Sequence, residues 1–438
     1  MLRFLYALNG VVWGTPMLIF FIFTGLRISV KSRFFQIRGF NTALKIFLKS
    51  IFNKDSNTGI SQFSAFCSVL GACIGTGNIV GVATALYSGG PGSVFWMIFS
   101  AGFSMMTAYA ENFLGAKYTE KYRQIKNSIG SFSYIQNGLK MNGLSKIYAV
   151  LCLMSVMGMG NMAQSNSLSE VLKVNFNIPK IYTAIVISII AFIIIKSGIK
   201  GLSKFQTIII PIAVIFYFIV SFWVLFKFRH NISPTIELIF REAFSIRALN
   251  GFGMYKAIRY GFSRGIFSNE AGLGSSTLLH AQAQNTDGRT QGVSAMLEVF
   301  IDTILMCGLT ALVMLVSTDI FETKLYGAQL SVAAYSTIGS IGKNGISILT
   351  AIFAFTSLTG CSFYGEKSFQ HLFSEKYANL YKVFYCILVF AGSLNSPEIV
   401  WEIADICNAL MAIPNLFAVN CLLHEVEYPT KKKRQHTV

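Results

Sequence analysis

Four glycines threaded through an apolar run, Gly71, Gly75, Gly77 and Gly81 within GACIGTGNIVGVATALYSGGPG from Gly71 to Gly92, are the first residues in this chain that could do chemistry. Glycine costs a helix interior about 1 kcal/mol relative to alanine and lets the backbone leave helical geometry. The stretch therefore reads as a broken apolar helix. Carbonyls and amides freed at a break need partners that hydrocarbon cannot supply. They persist where they line a polar cavity, in which freed carbonyls hold a cation and a half-helix N-terminus holds a carboxylate. The competing reading is that these glycines only let neighbouring helices approach closely. A second stretch, SRGIFSNEAGLGSSTLL from Ser263 to Leu279, has the same character: Gly265, Gly272 and Gly274 interrupt an apolar run around Ser268, Asn269 and Glu270.

The elements that must position these breaks follow from composition. With 438 residues, 53% of them hydrophobic and 13% charged, and a mean hydropathy of +0.56, the chain is too apolar for a soluble globular protein and reads as an all-α polytopic membrane protein. A net charge of +17 would suit nucleic acid, but the lysines and arginines lie between apolar segments and form no basic domain. Anionic headgroups and the positive-inside bias account for them, and no nucleic-acid partner is expected. The eight cysteines fall within apolar segments without CxxC spacing, which excludes a zinc site and a disulfide framework. No cofactor motif is visible. The first apolar stretch runs into GLRISVKSR without a small-residue cleavage site, so it reads as a retained helix and not a signal peptide.

Windows of about 20 apolar residues span the hydrocarbon core, and the chain offers about eleven of them. An extra helix at 11–30 precedes a basic amphipathic stretch from Phe34 to Phe52, expected along the membrane interface. Five spans follow at 59–88, 92–116, 145–172, 181–196 and 202–226. Five more follow at 249–283, 289–316, 344–372, 378–394 and 398–424, with a second amphipathic segment around Tyr326 to Ile338. The expected division is 1–57 for the extra helix and amphipathic stretch, 58–228 and 229–425 for two five-helix halves, and 426–438 for a basic tail. Both interrupted spans open their half. That correspondence is the sequence signature of an inverted-repeat secondary transporter, and an odd number of helices per half makes the repeats antiparallel.

Loop charges orient the bundle. Lys31, Arg33, Arg38, Lys45 and Lys49, then Lys117, Lys121, Arg123 and Lys126, then Lys196, Lys200 and Lys204, and finally the tail from Lys431 to Arg434 share one side, which is read as cytoplasmic. The uncharged SGGPG loop and the lysine-free turn near Ser396 mark the other side, although Lys227, Arg229, Arg241 and Arg247 run against the rule there. The N-terminus is expected outside and the C-terminus in the cytoplasm.

The stretches GTGNIVGVATALYSGGPGSVFWM, AENFLGAKY, GNMAQSNS, RGIFSNEAGLGSS, FIDT and YGEK fall in order along nearly the whole chain and closely resemble the signatures of the alanine/glycine:cation symporter family. The resemblance implies a LeuT-like fold with broken core helices 1 and 6, sodium-coupled uptake of a small neutral amino acid, and a multi-pass place in a prokaryotic plasma membrane, where a monomer suffices. It also implies site residues: Thr76, Gly77 and Asn78 on helix 1, Gln164 on helix 3, Phe267, Ser268 and Asn269 on helix 6, and Cys361 on helix 8 for the substrate. Gly71 and Ile74 carbonyls with the Thr356 and Ser357 hydroxyls are implied for sodium. The chemistry is sound on its own terms. Gln164 and Asn78 offer a zwitterion both donors and acceptors without net charge, and a hard cation takes five or six oxygens, as hard divalent cations do. The hydroxyls of Thr356 and Ser357 could instead bond back to their own helix. One departure stands out: Cys361 precedes SFYGEK where the family carries tryptophan. Either a phenylalanine such as Phe355 or Phe363 fills the space of the missing indole, or the substrate is larger than alanine.

Intramembrane acids are functional candidates by default, which singles out Glu111, Glu270 and Asp302. A structural task, such as capping amides freed in the break, is equally open to Glu270. Glu298 has no counterpart in the family pattern, and His280, just past helix 6, is read as a solvated or packing residue in preference to a proton relay. Two other classes compete with a symporter. A channel would need repeated carbonyl rings or subunit symmetry that this pattern lacks. A membrane-embedded enzyme using Cys361 as nucleophile would need an adjacent base, and the five histidines all lie near helix ends or in loops.

Overall fold

The computed structural model describes residues 2–52, 59–245, 253–284, 287–320 and 325–429, and among these every regular element is helical. The first apolar segment forms α1 (Leu2–Val12) and α2 (Thr15–Lys31), stepped at Gly14, with Pro16 in the first turn of α2 where a missing N–H is harmless. It begins earlier than the expected 11–30, because Arg3 and Asn9 mask the apolar pattern of its first turns. The amphipathic stretch is α3 (Phe35–Arg38) and α4 (Phe40–Phe52). Thirteen residues in α4 rise far too little to cross a hydrocarbon core of about 30 Å. Its Phe47 packs on Phe66, centroids 4.4 Å apart.

The glycine-rich stretch is broken as expected. α5 (Gln62–Cys73) stops, a single tight turn covers Thr76–Asn78, and α6 (Val80–Gly89) resumes. α7 (Gly92–Lys121) then leads through the short α8 (Gly130–Ser133) and a wide turn at Tyr134–Gly138 to α9 (Asn142–Ser155). A π-helical segment, Val156–Ala163, joins α9 to α10 (Gln164–Phe176). α11 (Lys180–Lys196) and α12 (Gly198–Lys227), with Pro211 inside it, complete this half. α13 (Ile232–Ala243), which the sequence reading did not anticipate, buries Thr235, Ile239 and Ala243 and exposes Ile236 and Phe240.

The second break parallels the first: α14 (Met254–Asn269) ends at Glu270 with φ +54° and α15 (Ser276–His280) follows Gly272 and Gly274, both at positive φ. α16 (Gly288–Val299) passes through a second π-helical segment, Phe300–Cys307, into α17 (Gly308–Ser317). α18 (Ala328–Ser336) is the predicted amphipathic segment, and α19 (Ser340–Leu372), α20 (Ala378–Leu394) and α21 (Pro397–Leu422) close the chain. The division at 57/58, the expected helix start at 249, Arg247 and the tail Lys431–Arg434 lie outside the described residues.

Among the described residues, eight helical segments are long and apolar enough to cross a membrane. The other expected windows are α11, at seventeen residues, and the two broken segments. These two run antiparallel. At one end Ile60 and Ala283 form an isolated β-bridge; at the other, a Cβ on Gly89 would lie 3.0 Å from Cβ of Tyr260. The bridged end is also the basic end, since Ser131 N–H bonds Thr277 Oγ1 (2.8 Å) and Lys117 pairs with Glu425 (2.8 Å) there.

Candidate functional site

Both breaks meet at the centre of the bundle. Ile74 leaves α5 with ψ 97° and Gly75 is extended, which turns successive backbone groups inward. Gly75 must be glycine: a Cβ would sit 2.8 Å from both Gln164 Oε1 and Ser357 Cβ. Gly77 faces the other break, its Cβ position 3.2 Å from Ser268 Cα and 3.3 Å from Phe267 Cδ1. Thr76 N–H donates to Gln164 Oε1 (2.9 Å), and Gln164 Nε2 reaches Met159 O (3.3 Å) in the π segment. The Thr76 hydroxyl is fully buried and has no partner, a condition that costs about 1–3 kcal/mol unless something completes it.

Asp302 ties the breaks together. Its Oδ1 accepts from Asn78 Nδ2 (2.8 Å), and its Oδ2 accepts from the hydroxyls of Ser268 (2.7 Å) and Thr303 (2.8 Å). Asn269 Nδ2 donates to Thr303 Oγ1 (3.0 Å) while its Oδ1 caps the Ala271 amide (3.0 Å). The π segment is what swings Asp302 and Thr303 onto these partners, as π turns at functional sites commonly do. Sequence alone marks Asp302 as a membrane acid and places neither it nor Thr303 in the site; the FIDT stretch is the signal that carries them.

The predicted ion residues divide. Ser357 Oγ donates to Ala72 O (2.7 Å) at the end of α5. Thr356 Oγ1 bonds back to Phe353 O (3.0 Å), and its carbonyl accepts Gln206 Nε2 (3.0 Å) from α12. Gly71 abuts the same α12 surface, its Cβ position 3.0 Å from Ile210 and 3.2 Å from Gln206. Ser357 and Ile74 therefore border the break, whereas Thr356 and Gly71 connect through Gln206. The C-terminal end of α5 and the N-terminal end of α6 add opposite partial charges across the gap.

Cys361 stands one turn from Ser357, its Sγ 3.9 Å from Ala72 O and 3.8 Å from Glu270 Oε1. Of the two expected rings, Phe355 is edge-on to Phe205 (6.0 Å) and Phe363 lies beneath Lys367. Gly160 packs directly against Cys361, where an added Cβ would be 2.4 Å from Cys361 Cβ. Glu270 accepts from Ser275 Oγ (2.5 Å) and caps no amide. That task falls to Glu111, which takes Gly272 N–H (3.3 Å) and Asn415 Nδ2 (2.9 Å).

On the side away from the basic end, Phe267 stacks on Trp401 (4.8 Å) and Arg264 lies over both rings, paired with Asp405 at 2.6 Å. Trp13 Nε1 holds Asp405 O (3.0 Å) from the extra N-terminal segment. Beyond this lid a cavity of about 270 Å³ is lined by Val80, Asn166, Glu170, Tyr326 and Trp401. At the basic end His280 is neither solvated nor merely packed, contrary to expectation: it is buried and bonded to Gln291 and Glu298.

A buried polar site between two antiparallel broken helices, shut at both ends by separable contacts, defines a membrane transporter and not an enzyme. The chain belongs to the sodium:alanine symporter family, which it matches over residues 1–436. It is 36% identical over 432 residues to the sodium/alanine symporter AgcS of Methanococcus maripaludis, covering 97% of this chain and 95% of that one. It is 29% identical over 427 residues to a probable sodium/glutamine symporter of Bacillus subtilis, covering 97% and 88%. Among solved structures, a Na+-coupled sialic acid symporter superposes with a TM-score of 0.53 at 11% identity, over 96% of this chain and 82% of that one. That likeness establishes a transporter fold. Family membership makes this chain a sodium-coupled amino-acid symporter.

Proposed function

We propose that the protein carries a small neutral amino acid into the cell by alternating access, through eleven membrane-crossing segments arranged as one plus an antiparallel five-plus-five repeat. The observation that carries this is the Thr76 hydroxyl, buried without a partner between the two breaks. Thr76, Gly77 and Asn78, with Gln164, Phe267, Ser268 and Asn269, enclose the amino acid. Its carboxylate meets the amides at the start of α6, and its ammonium meets acceptors such as Gln164 Oε1. Sodium takes the carbonyls of Gly71 and Ile74 with the hydroxyls of Thr356 and Ser357, and Cys361 forms the neighbouring wall. The protein sits in a prokaryotic plasma membrane with its N-terminus outside and its C-terminus inside.

Cys361 in the place of a tryptophan favours a substrate larger than alanine, such as glutamine, serine or methionine, since one methylene in a pocket is worth about 1–3 kcal/mol. The relative named as a probable glutamine symporter supports that choice. Counterflow in proteoliposomes, with a panel of amino acids and with or without a sodium gradient, tests the reading. Sodium-dependent exchange of glutamine, serine or methionine matching alanine and glycine is expected. Exclusive use of alanine and glycine removes the enlarged pocket, and sodium-independent flux removes the coupling.

A further inference from the structure

We propose that His280 and Glu298 form a proton-binding site that locks the basic end of the two broken helices. His280 is 1% exposed and Glu298 3% exposed. His280 Nδ1 lies 2.8 Å from Gln291 Oε1 and Nε2 lies 3.0 Å from Glu298 Oε2. Both ring nitrogens thus face acceptors. A neutral imidazole beside a carboxylate has one N–H for two acceptors, so the couple holds one further proton, which is placed here on the ring as imidazolium against the Glu298 carboxylate; the other distribution is a Glu298 carboxyl donating to Nε2 of a neutral ring. Glu298 Oε1 is buried and has no partner, so among the described residues His280 alone bonds this carboxyl group.

The couple lies where opening would tear it. His280 ends α15 and Glu298 belongs to α16. Gln291 Nε2 donates to Gln62 Oε1 (2.8 Å), and Gln62 Nε2 to Ser294 Oγ (3.0 Å), which extends the set to the first turn of α5. Just beyond it the Ile60–Ala283 bridge joins the same two half-helices. The other titratable groups within electrostatic reach are Glu111 of α7, Cys67 and Cys73 of α5, and Tyr364 of α19. Glu111 is engaged by Asn415 and Gly272. A proton entering from the basic side binds the imidazole; its return to that side leaves a lone pair facing a carboxylate at 3.0 Å, and the end parts. The consequence for transport rests on the proposed function; the protonation state does not.

Ring-nitrogen NMR on 15N-histidine protein in nanodiscs, with the His280 signals identified by their loss in His280→Asn, reads the couple directly. Both nitrogens protonated at pH 6, one proton lost in a single step by pH 9, and a neutral ring throughout in Glu298→Gln are expected. A bare ring nitrogen at pH 6 in the unaltered protein, or an imidazolium that persists in Glu298→Gln, overturns the proposal. In proteoliposomes, sodium-driven uptake should fall several-fold as pH on the basic side drops from 8 to 6, and this dependence should vanish in Glu298→Gln. An unaltered pH profile in that variant also overturns it. Absence of any sodium-driven uptake by the unaltered protein strikes at the transport reading, while the NMR result still decides the proton site.

Discussion

Ser357 and Thr356 are neighbours on α19 with different first partners, Ala72 O for one hydroxyl and Phe353 O for the other. A hydroxyl that donates its proton to a carbonyl still offers lone pairs to a cation, so both remain ligands in the proposed sodium site. A hydrogen bond to a charged group contributes about 1.5–3 kcal/mol, and a lost ligand oxygen should cost at least as much. Ser357→Ala and Thr356→Val should therefore each raise the sodium concentration for half-maximal uptake about tenfold or more, at unchanged protein abundance; an unmoved sodium curve in both would place the ion elsewhere. Gln164→Leu strips the acceptor from Thr76 N–H and a partner from the substrate. Isothermal binding should weaken about ten- to a hundred-fold, whereas unchanged affinity would assign Gln164 to packing. The two breaks were legible in the sequence because their glycines leave a mark in composition. Asp302, Arg264 and Gln206 were not assigned, since one polar residue in an apolar helix does not reveal which helix it faces.

At the scale of elements, the apolar windows located the long helices within a few residues apart from the first, which begins at Leu2, and the two glycine runs located the breaks. The π-helical segments were not anticipated, because in helices apolar on most faces the phase shift of an inserted residue has no polar face to register against. Yet one of them brings Gly160 onto Cys361, and the other delivers Asp302 to Asn78 and Ser268. The first contact is so close that Gly160→Ala should overpack the core by about 1–3 kcal/mol and lower the melting temperature in detergent. Adding Cys361→Gly to Gly160→Ala should recover most of that loss, because the two side chains contend for one space. Equal destabilisation in the single and double variants would show that the segment yields by itself. α13 was missed for a different reason: its charges hide a narrow apolar face.

For the whole molecule, the basic loops around Lys117 and the half-helix α15 lie together, so charge and architecture mark the same end. Segments rich in lysine and arginine stay in the cytoplasm. A membrane-impermeant maleimide applied to intact cells, in a background without native cysteines, should label Ser396→Cys and spare Lys126→Cys. The reverse pattern would invert the molecule and assign the Arg264–Asp405 lid to the inside. Fold class, membrane residence and family were readable at this scale because they are written in hundreds of side chains; closure at each end, made by a few contacts, was not.

The bridge at the basic end is made of main chain alone: Ile60 N–H donates to Gln282 O (3.1 Å), and Gln284 N–H to Ile60 O (2.9 Å). The two bonds involve no side chain, although a Cβ at Gly59, where φ is +89°, would press to 2.9 Å from Gln282 O. The amide hydrogens of Ile60 and Gln284 can trade with deuterium only when that end comes apart. Each turnover through the inner side would thus leave an isotopic tally at two known positions. Sodium with substrate should quicken the count, and a protein that never opens there would keep both hydrogens for as long as it stays folded.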